Sequence, residues 1–369
     1  MKRNDTNPGS GTIWLRLVPA ALVWLTACAP IAATTGPEPP APGEAAPPTE
    51  PGDDRAPDAA PITDAGGHAQ PAADSIAELE TRLVEMARAV RGPVPELPPI
   101  KPFGISWSPE PREGHAFSIR LYERPTGRQP VSIQGEFSGK AVRFARHGPR
   151  NRWLGVGVVP IGRSDPAVLT LRMRFEDGET HEQTVRISVR GTEFPSSELR
   201  VDPRYSSPPA EVLDRIRRES RMVREMLSTV TPEWRMAGPF QPPRPMEVTS
   251  PFGQARTFNG ELRSRHTGLD LRGQTGAPVY AAGAGRVAFA GELYFAGNAV
   301  YIDHGLGVYT GYFHLSRIQV REGDEVEAGR LVGEAGGTGR VTAAHLHWYL
   351  SVDGEAADAS SLLGMRLTD

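Results

Sequence analysis

Between residues 103 and 190 the chain alternates apolar and polar positions in short runs. Ala116–Tyr122, Val131–Phe137, Val168–Phe175 and Thr184–Val189 each turn every second side chain to an apolar face, and turn signals such as Pro125-Thr-Gly127 and Asp177-Gly178 separate such runs. A period of two marks half-buried strands. Several short strands at this spacing predict an immunoglobulin-like β-sandwich over residues 100–192. Two segments carry the helical period instead. Ile76, Leu79, Leu83, Met86 and Val90 recur at three- or four-residue steps, with Asp74 or Ser75 to cap and Gly92-Pro93 to stop, so residues 74–92 predict an amphipathic helix with a packing stripe. Residues 205–232 predict a helical linker: Val212, Leu213, Ile216, Val223 and Leu227 share one side, and alternating Arg and Glu make a solvated face. Beyond the Pro-rich stretch Pro239–Pro245, short strands and glycine turns return. Val279–Ala282, Gly285–Ala290, Ala299–Asp303 and Gly307–Phe313 predict a compact antiparallel β-domain over residues 240–369. The fold class is therefore mainly β, with two helical connecting segments.

Composition changes the picture at the N-terminus. Lys2, Arg3 and Arg16 precede an apolar run, Leu17–Ala27, that is shorter than the ~20 residues a permanent membrane span requires. The run ends in Leu25-Thr-Ala-Cys28, which resembles a bacterial lipobox and contains the single Cys of the chain. Residues 1–27 are expected to be a lipoprotein signal peptide and Cys28 the lipidated first mature residue. Ala29, rather than Asp, follows it; by resemblance to Gram-negative sorting signals this favours the periplasmic face of the outer membrane. Residues 28–73 are rich in Pro, Ala, Gly, Asp and Glu and have too few large apolar groups to fold. Extended at ~3.1 Å per residue, such a tether reaches on the order of 100 Å. A formal net charge of -3 gives no sign of a nucleic-acid partner.

The candidate chemistry lies in three blocks: His266-Thr-Gly-Leu-Asp270, Tyr312-Phe-His314-Leu315 and His345-Leu-His347-Trp348. Two His and one Asp can supply three ligands to zinc, leaving two His for chemistry at an open fourth position. Structural zinc sites are usually closed by four ligands, often Cys; with one distant Cys the constellation reads as catalytic. His345 and His347, two apart, project from the same face of a strand. Gly268 argues against a helix between His266 and Asp270, so this block reads as a loop running into a strand, with Asp270 at the strand's start. Scattered His115, His147 and His181 read as surface residues, and His304 as structural. No lysine follows Lys140, which excludes a lysine-borne carrier group, and no His-Glu-x-x-His helix is present.

Over roughly residues 240–365 these blocks are similar to the lysostaphin-like (LytM-like) zinc endopeptidases of peptidoglycan. The resemblance also takes in Thr249-Ser-Pro-Phe-Gly253, Gly276-Ala-Pro-Val279, Ala281–Gly285, Asp303-His-Gly305, Val320–Val326 and Gly336-Gly-Thr-Gly339. It implies His266, Asp270 and His347 as zinc ligands, and His345 and His314 as the catalytic pair beside the reacting water and carbonyl. Ala343-Ala344 departs from a pair that ends in Pro in many members, and Trp348 replaces a common Phe. Peptide cross-bridges of peptidoglycan are the implied substrate. The alternative is a catalytically inactive relative that activates a separate amidase; such relatives have usually lost ligands, whereas all five residues stand here. The β-module before this domain carries no chemical cluster and is expected to position the domain, or to cover its groove until a regulatory protein partner engages.

The lipid reading has a direct test. Cys28→Ser is expected to abolish lipid attachment and normal maturation. Mass spectrometry of the mature N-terminus decides: an unmodified Cys28, or cleavage elsewhere, rejects the anchor.

Overall fold

The computed structural model describes residues 103–123, 129–148, 152–199, 210–236, 238–258 and 261–367. The expected signal peptide, tether and first helix, Cys28 among them, lie outside these residues. What is described is mainly β. Seven strands come first: β1 (Phe103–Ser108), β2 (Ala116–Glu123), β3 (Pro130–Phe137), β4 (Lys140–Arg146), β5 (Arg152–Val158), β6 (Ala167–Phe175) and β7 (Thr180–Ile187). They hydrogen-bond antiparallel in one continuous order, β1-β2-β5-β4-β3-β6-β7. The strands with a clean alternation, such as β3 and β6, bury one face and expose the other.

β5 has no polar face, because it is buried on both sides. Trp153 joins a core with Phe117, Phe137 and Leu169, whereas Leu154, Val156 and Val158 join the core of the C-terminal domain. Between them, Gly155 lets the Phe144 ring lie against the strand: a Cβ there would stand 2.7 Å from a ring carbon.

After β8 (Ser196–Leu199) comes helix α1 (Leu213–Ser228), followed by β9 (Val248–Ser250), β10 (Ala255–Phe258), β11 (Glu261–Arg265), β12 (Gly268–Arg272), β13 (Pro278–Tyr280) and β14 (Gly285–Leu293). The chain then runs through β15 (Gly297–Asp303), β16 (Val308–Leu315), β17 (Arg317–Ile318), β18 (Glu325–Val326), β19 (Leu331–Glu334), β20 (His345–Val352) and β21 (Glu355–Ala357). The main sheet has the order β18-β14-β15-β16-β20-β12-β9, with β21 on β20. Leu346, Trp348, Leu350 and Val352 of β20 face one core with Val300, Ile302 and Tyr312. The opposite face carries His345 and His347, then an aromatic floor of Tyr301, Phe313 and Tyr349, over which α1 lays Val223, Met226 and Leu227. Glu219 ties the first half of α1 down by accepting from Tyr294 N at 2.8 Å, and Tyr309 Oη holds its end by donating to Thr229 O at 2.8 Å.

The seven-stranded sheet meets the C-terminal domain at β21 and the 3-10 turn Ala359–Gly364. Ala116 N donates to Ser361 Oγ at 3.1 Å, and Asp358 N to Gly114 O at 2.8 Å. Among the described residues three pairs cross the junction, each with its basic member on the side of the first sheet: His115–Asp358 at 3.7 Å, Lys140–Glu355 at 2.6 Å and Arg143–Asp353 at 3.5 Å. Half-exposed pairs contribute at most about 1 kcal/mol each, whereas fully burying one Leu or Val contributes about 1.5–3 kcal/mol. Leu154, Val156 and Val158 therefore hold the junction and the charges select its register. His115, expected on the open surface, belongs to this junction.

His304 is fully buried in the C-terminal domain. Its Nδ1–H donates to Ala284 O at 2.7 Å; its Nε2 accepts from Thr310 Oγ1 at 2.8 Å, which in turn accepts from Tyr312 Oη at 3.0 Å. Burial pushes its pKa from 6.5 down to about 4. The unfolded chain thus takes up the proton first, and this contribution to stability is lost as pH falls from 6.5 towards 4. A shift of this size corresponds to about 3 kcal/mol. Denaturation midpoints measured across that window should fall more steeply for the wild type than for His304→Gln, a comparison in which the other buried histidines cancel. Equal slopes would reject the assignment.

Candidate metal centre

β12 and β20 are neighbours in the sheet, and their register sets Asp270 directly opposite His347. Directly opposed side chains on one face lie ~4.5–5.5 Å apart at Cβ, so strand pairing alone brings a carboxylate to an imidazole. Asp270 is the middle residue of β12, not its start as expected from the sequence. His345 shares the face of His347, as the two-residue spacing requires. His266 enters from the turn between β11 and β12.

Three donor atoms converge. His266 Nε2 lies 3.1 Å from Asp270 Oδ1 and 3.1 Å from His347 Nδ1, and His347 Nδ1 lies 2.9 Å from Asp270 Oδ1. His266 donates its Nδ1–H to Pro251 O at 2.9 Å. Its Nε2 therefore offers a lone pair to the centre. Two imidazole nitrogens and a carboxylate oxygen, buried and facing one another at this distance, need a cation between them. Tetrahedral bonds of ~2.0–2.1 Å give donor–donor edges of ~3.3 Å, slightly longer than those observed, so the three residues fit a divalent metal.

The two remaining histidines are held in matching fashion. His345 Nδ1–H donates to Ala343 O at 2.9 Å, and His314 Nδ1–H to Thr338 O at 3.0 Å. Each keeps Nε2 as its acceptor nitrogen. His345 Nε2 lies 3.5 Å from Asp270 Oδ1, and the His314 ring centroid is 5.0 Å from that of His345. Strand alternation would send His314 to the face opposite Phe313. Its backbone instead takes φ 63°, a left-handed conformation that an L-residue adopts only at a cost. That turn places His314 beside His347 and frees the next position for Leu315 to enter the core.

The electrostatics agree with this division of roles. Burial alone would raise the Asp270 carboxyl; its close contacts with the His266, His345 and His347 rings outweigh burial and hold the group well below its ordinary value. Burial, reinforced by His347 and His345, pushes His314 down to about 3. Burial also pushes His347 down to about 4, against the pull of Asp270. Both imidazoles are neutral at neutral pH, the form that binds a metal or accepts a proton.

All five sequence-predicted residues meet at this one place. Sequence reasoning missed their supports: the carbonyls of Pro251, Thr338 and Ala343, and Phe313, whose ring stacks on His347 at 5.3 Å and 11°. The Thr249–Gly253 block held one of these signals, since it contains Pro251.

Residues 264–359 match the sequence model of Peptidase family M23, and the C-terminal domain is a domain of that family. The Peptidoglycan DD-endopeptidase ShyA of Vibrio cholerae is 33% identical over 182 residues, which is 49% of this chain and 38% of that protein. A Lipoprotein NlpD/LppB homolog of Pseudomonas aeruginosa is 37% identical over 109 residues, 29% of this chain and 35% of that protein. The matches thus span well under half the length of these curated relatives. A Pseudomonas aeruginosa protein crystallised as a candidate peptidase M23 is 26% identical with a TM-score of 0.52, covering 69% of this chain and 96% of that one.

Gly268 gives the centre a specific vulnerability. A Cβ at this position would overlap the His347 ring at Nε2. Gly268→Ala is therefore expected to displace the ring and lower metal stoichiometry well below one per chain, with little change in secondary structure. Full metal occupancy by elemental analysis would overturn this reading.

Proposed function

We propose that the chain is an exported zinc metalloendopeptidase that hydrolyses peptide cross-bridges of bacterial peptidoglycan, held by a lipid on Cys28 at the periplasmic face of the outer membrane. The observation that carries the reading is the convergence of His266 Nε2, Asp270 Oδ1 and His347 Nδ1, flanked by His345 and His314 with their Nδ1–H groups tied to carbonyls. The endopeptidase name of the Vibrio relative supports the substrate class and favours a D,D bond, D-Ala to diaminopimelate, over a glycine bridge. The lipoprotein name of the Pseudomonas relative supports the anchor.

His266, Asp270 and His347 would hold the zinc, which when bound acidifies a water and polarises the scissile carbonyl. His345 accepts the water's proton at Nε2, the nitrogen turned towards Asp270. His314, whose one N–H is given to Thr338 O, orients that water by accepting from it at Nε2. Its strained backbone and its bond to Thr338 fix the ring before substrate arrives. An amidase activator needs none of these groups, so the intact set of five favours the enzyme over that reading. The seven-stranded sheet docks on β21 and the 359–364 turn, which favours a positioning role over occlusion of the metal.

Purified peptidoglycan incubated with the protein should release peptides, with release stopped by chelation and restored by zinc. His266→Ala, Asp270→Ala and His347→Ala should each lose zinc and hydrolysis together. His345→Ala should keep zinc and lose ~10²–10⁴-fold in rate. Full zinc occupancy in the first three variants would reject the ligand set, and wild-type turnover in the fourth would remove His345 from the mechanism.

A further inference from the structure

Two glycines, one just ahead of β2 and one beside the metal centre, face the same aromatic ring. A Cβ on Gly114 would stand 2.9 Å from Phe194 Cζ, and a Cβ on Gly253 would overlap Cδ1 and Cε1 of that ring. Both glycines take a positive φ, 78° and 73°, which a side chain would also oppose. Phe252 completes the seat, edge-on to Phe194 with the centroids 6.4 Å apart. Phe194 lies outside the segment that matches the peptidase family, residues 264–359. The end of the first sheet presents it: Thr192 Oγ1 donates to Glu113 O at 2.8 Å, and Glu113 N to Arg190 O at 2.8 Å. Directly after the ring the chain joins the other side. Ala255 N donates to Pro195 O at 2.8 Å, and β8 runs parallel to β10.

The ring bears on a metal-site histidine through two contacts. Gly253 N donates to His266 O at 2.8 Å, and His266 N donates to Gln254 O at 3.0 Å, so residues 251–254 clasp the backbone of His266. Pro251 O, two residues from Gly253, accepts the Nδ1–H that fixes the imidazole. Arg265, the residue before His266, donates from Nη1 to Gly253 O at 3.0 Å and sets its guanidinium 5.6 Å from the Phe194 ring centroid. Guanidinium and ring attract each other at this distance. Phe194 therefore touches both Gly253 and Arg265, which stand on either side of the turn that aims His266.

We propose that Phe194 is a positioning residue of the metal centre: through it the first β-module holds residues 251–254 in place and keeps His266 Nε2 aimed at the metal. This rests on His266 as a metal ligand and holds whatever the substrate. A group that orients a ligating histidine typically contributes about 10- to 100-fold in metal affinity. Pro251 O is such a group, and Phe194 acts through it. The first module thus completes a centre whose ligands all lie outside it.

The test measures zinc affinity of the full chain by competition with a chromophoric chelator, and the visible absorption of the cobalt-loaded protein. Phe194→Ala is expected to weaken zinc binding about 10- to 100-fold and to shift the cobalt bands, because His266 is no longer held. Phe194→Leu, which keeps apolar volume against Gly253, should recover most of that affinity. Gly253→Ala should weaken zinc binding in the wild type and cost less in Phe194→Ala, where the missing ring leaves room for the new Cβ. The strain of the positive φ is common to both backgrounds and cancels. Phe137→Leu, in the first sheet's own core, is the control. It should lower the melting temperature and leave zinc affinity unchanged. If Phe194→Ala does not fold, the Gly253→Ala comparison is made in Phe194→Leu. Wild-type zinc affinity in Phe194→Ala, an equal loss in Phe137→Leu, or strict additivity with Gly253→Ala overturns the assignment and leaves the metal ligands standing. A wild type that binds no zinc overturns the metal reading, and this inference with it.

Discussion

Everything at the centre depends on the pairing of β12 with β20. That register puts Asp270 opposite His347 and brings the carboxylate within 2.9 Å of Nδ1. Because side chains alternate along a strand, a slip of β20 by one residue would turn His347 into the core on the other face, away from Asp270. The buried alternation of Leu346, Trp348 and Leu350 prevents that slip, since the same shift would drive these side chains out. Core packing thus fixes the metal site: the apolar residues between the histidines are what keep them aligned. The remaining donor, His266, needs less precision from the sheet because Pro251 O sets its ring orientation directly.

A buried set of donors is a standing cost without a cation. The nitrogens of His266 and His347 are 3.1 Å apart, and the depressed pKa of His347 means that a proton does not readily fill the gap. Asp270 supplies negative charge but no positive partner. A divalent ion resolves all three contacts at once, so the fold is shaped for the loaded centre. The same burial keeps His314 neutral, so desolvation acts alike on His347 and on the histidine beside it.

The sequence made some of this legible and hid the rest, for definable reasons. Period-two runs exposed β3 and β6, which have one wet face, and β2, whose apolar residues alternate although none of its positions is exposed. β5 was invisible to that signal because Leu154, Val156 and Val158 are covered by a second domain, and nothing in a local window reports a distant partner. β1 and β4 also went unanticipated. The five site residues were legible because their spacing and order are shared with a known family, and His345 and His347 also followed from strand geometry. The placement of His314 was not derivable from alternation, which predicts the opposite face; only a left-handed residue at the end of β16 corrects it. His115 was misplaced for a related reason: its partner Asp358 is far away in sequence and meets it only through the domain junction.

Strain at His314 also explains why the surrounding loops are tied so densely. A left-handed L-residue costs about 1–3 kcal/mol and persists only where its neighbours over-determine it. Here its backbone N donates to Ala296 O at 2.8 Å, its ring donates to Thr338 O, and Thr338 Oγ1 in turn donates to Leu315 O at 2.8 Å. Asn298 closes the circuit by donating from its side chain to the same Leu315 carbonyl at 3.0 Å. The strained residue therefore sits inside a ring of hydrogen bonds that joins β15, β16 and the loop leading to His345.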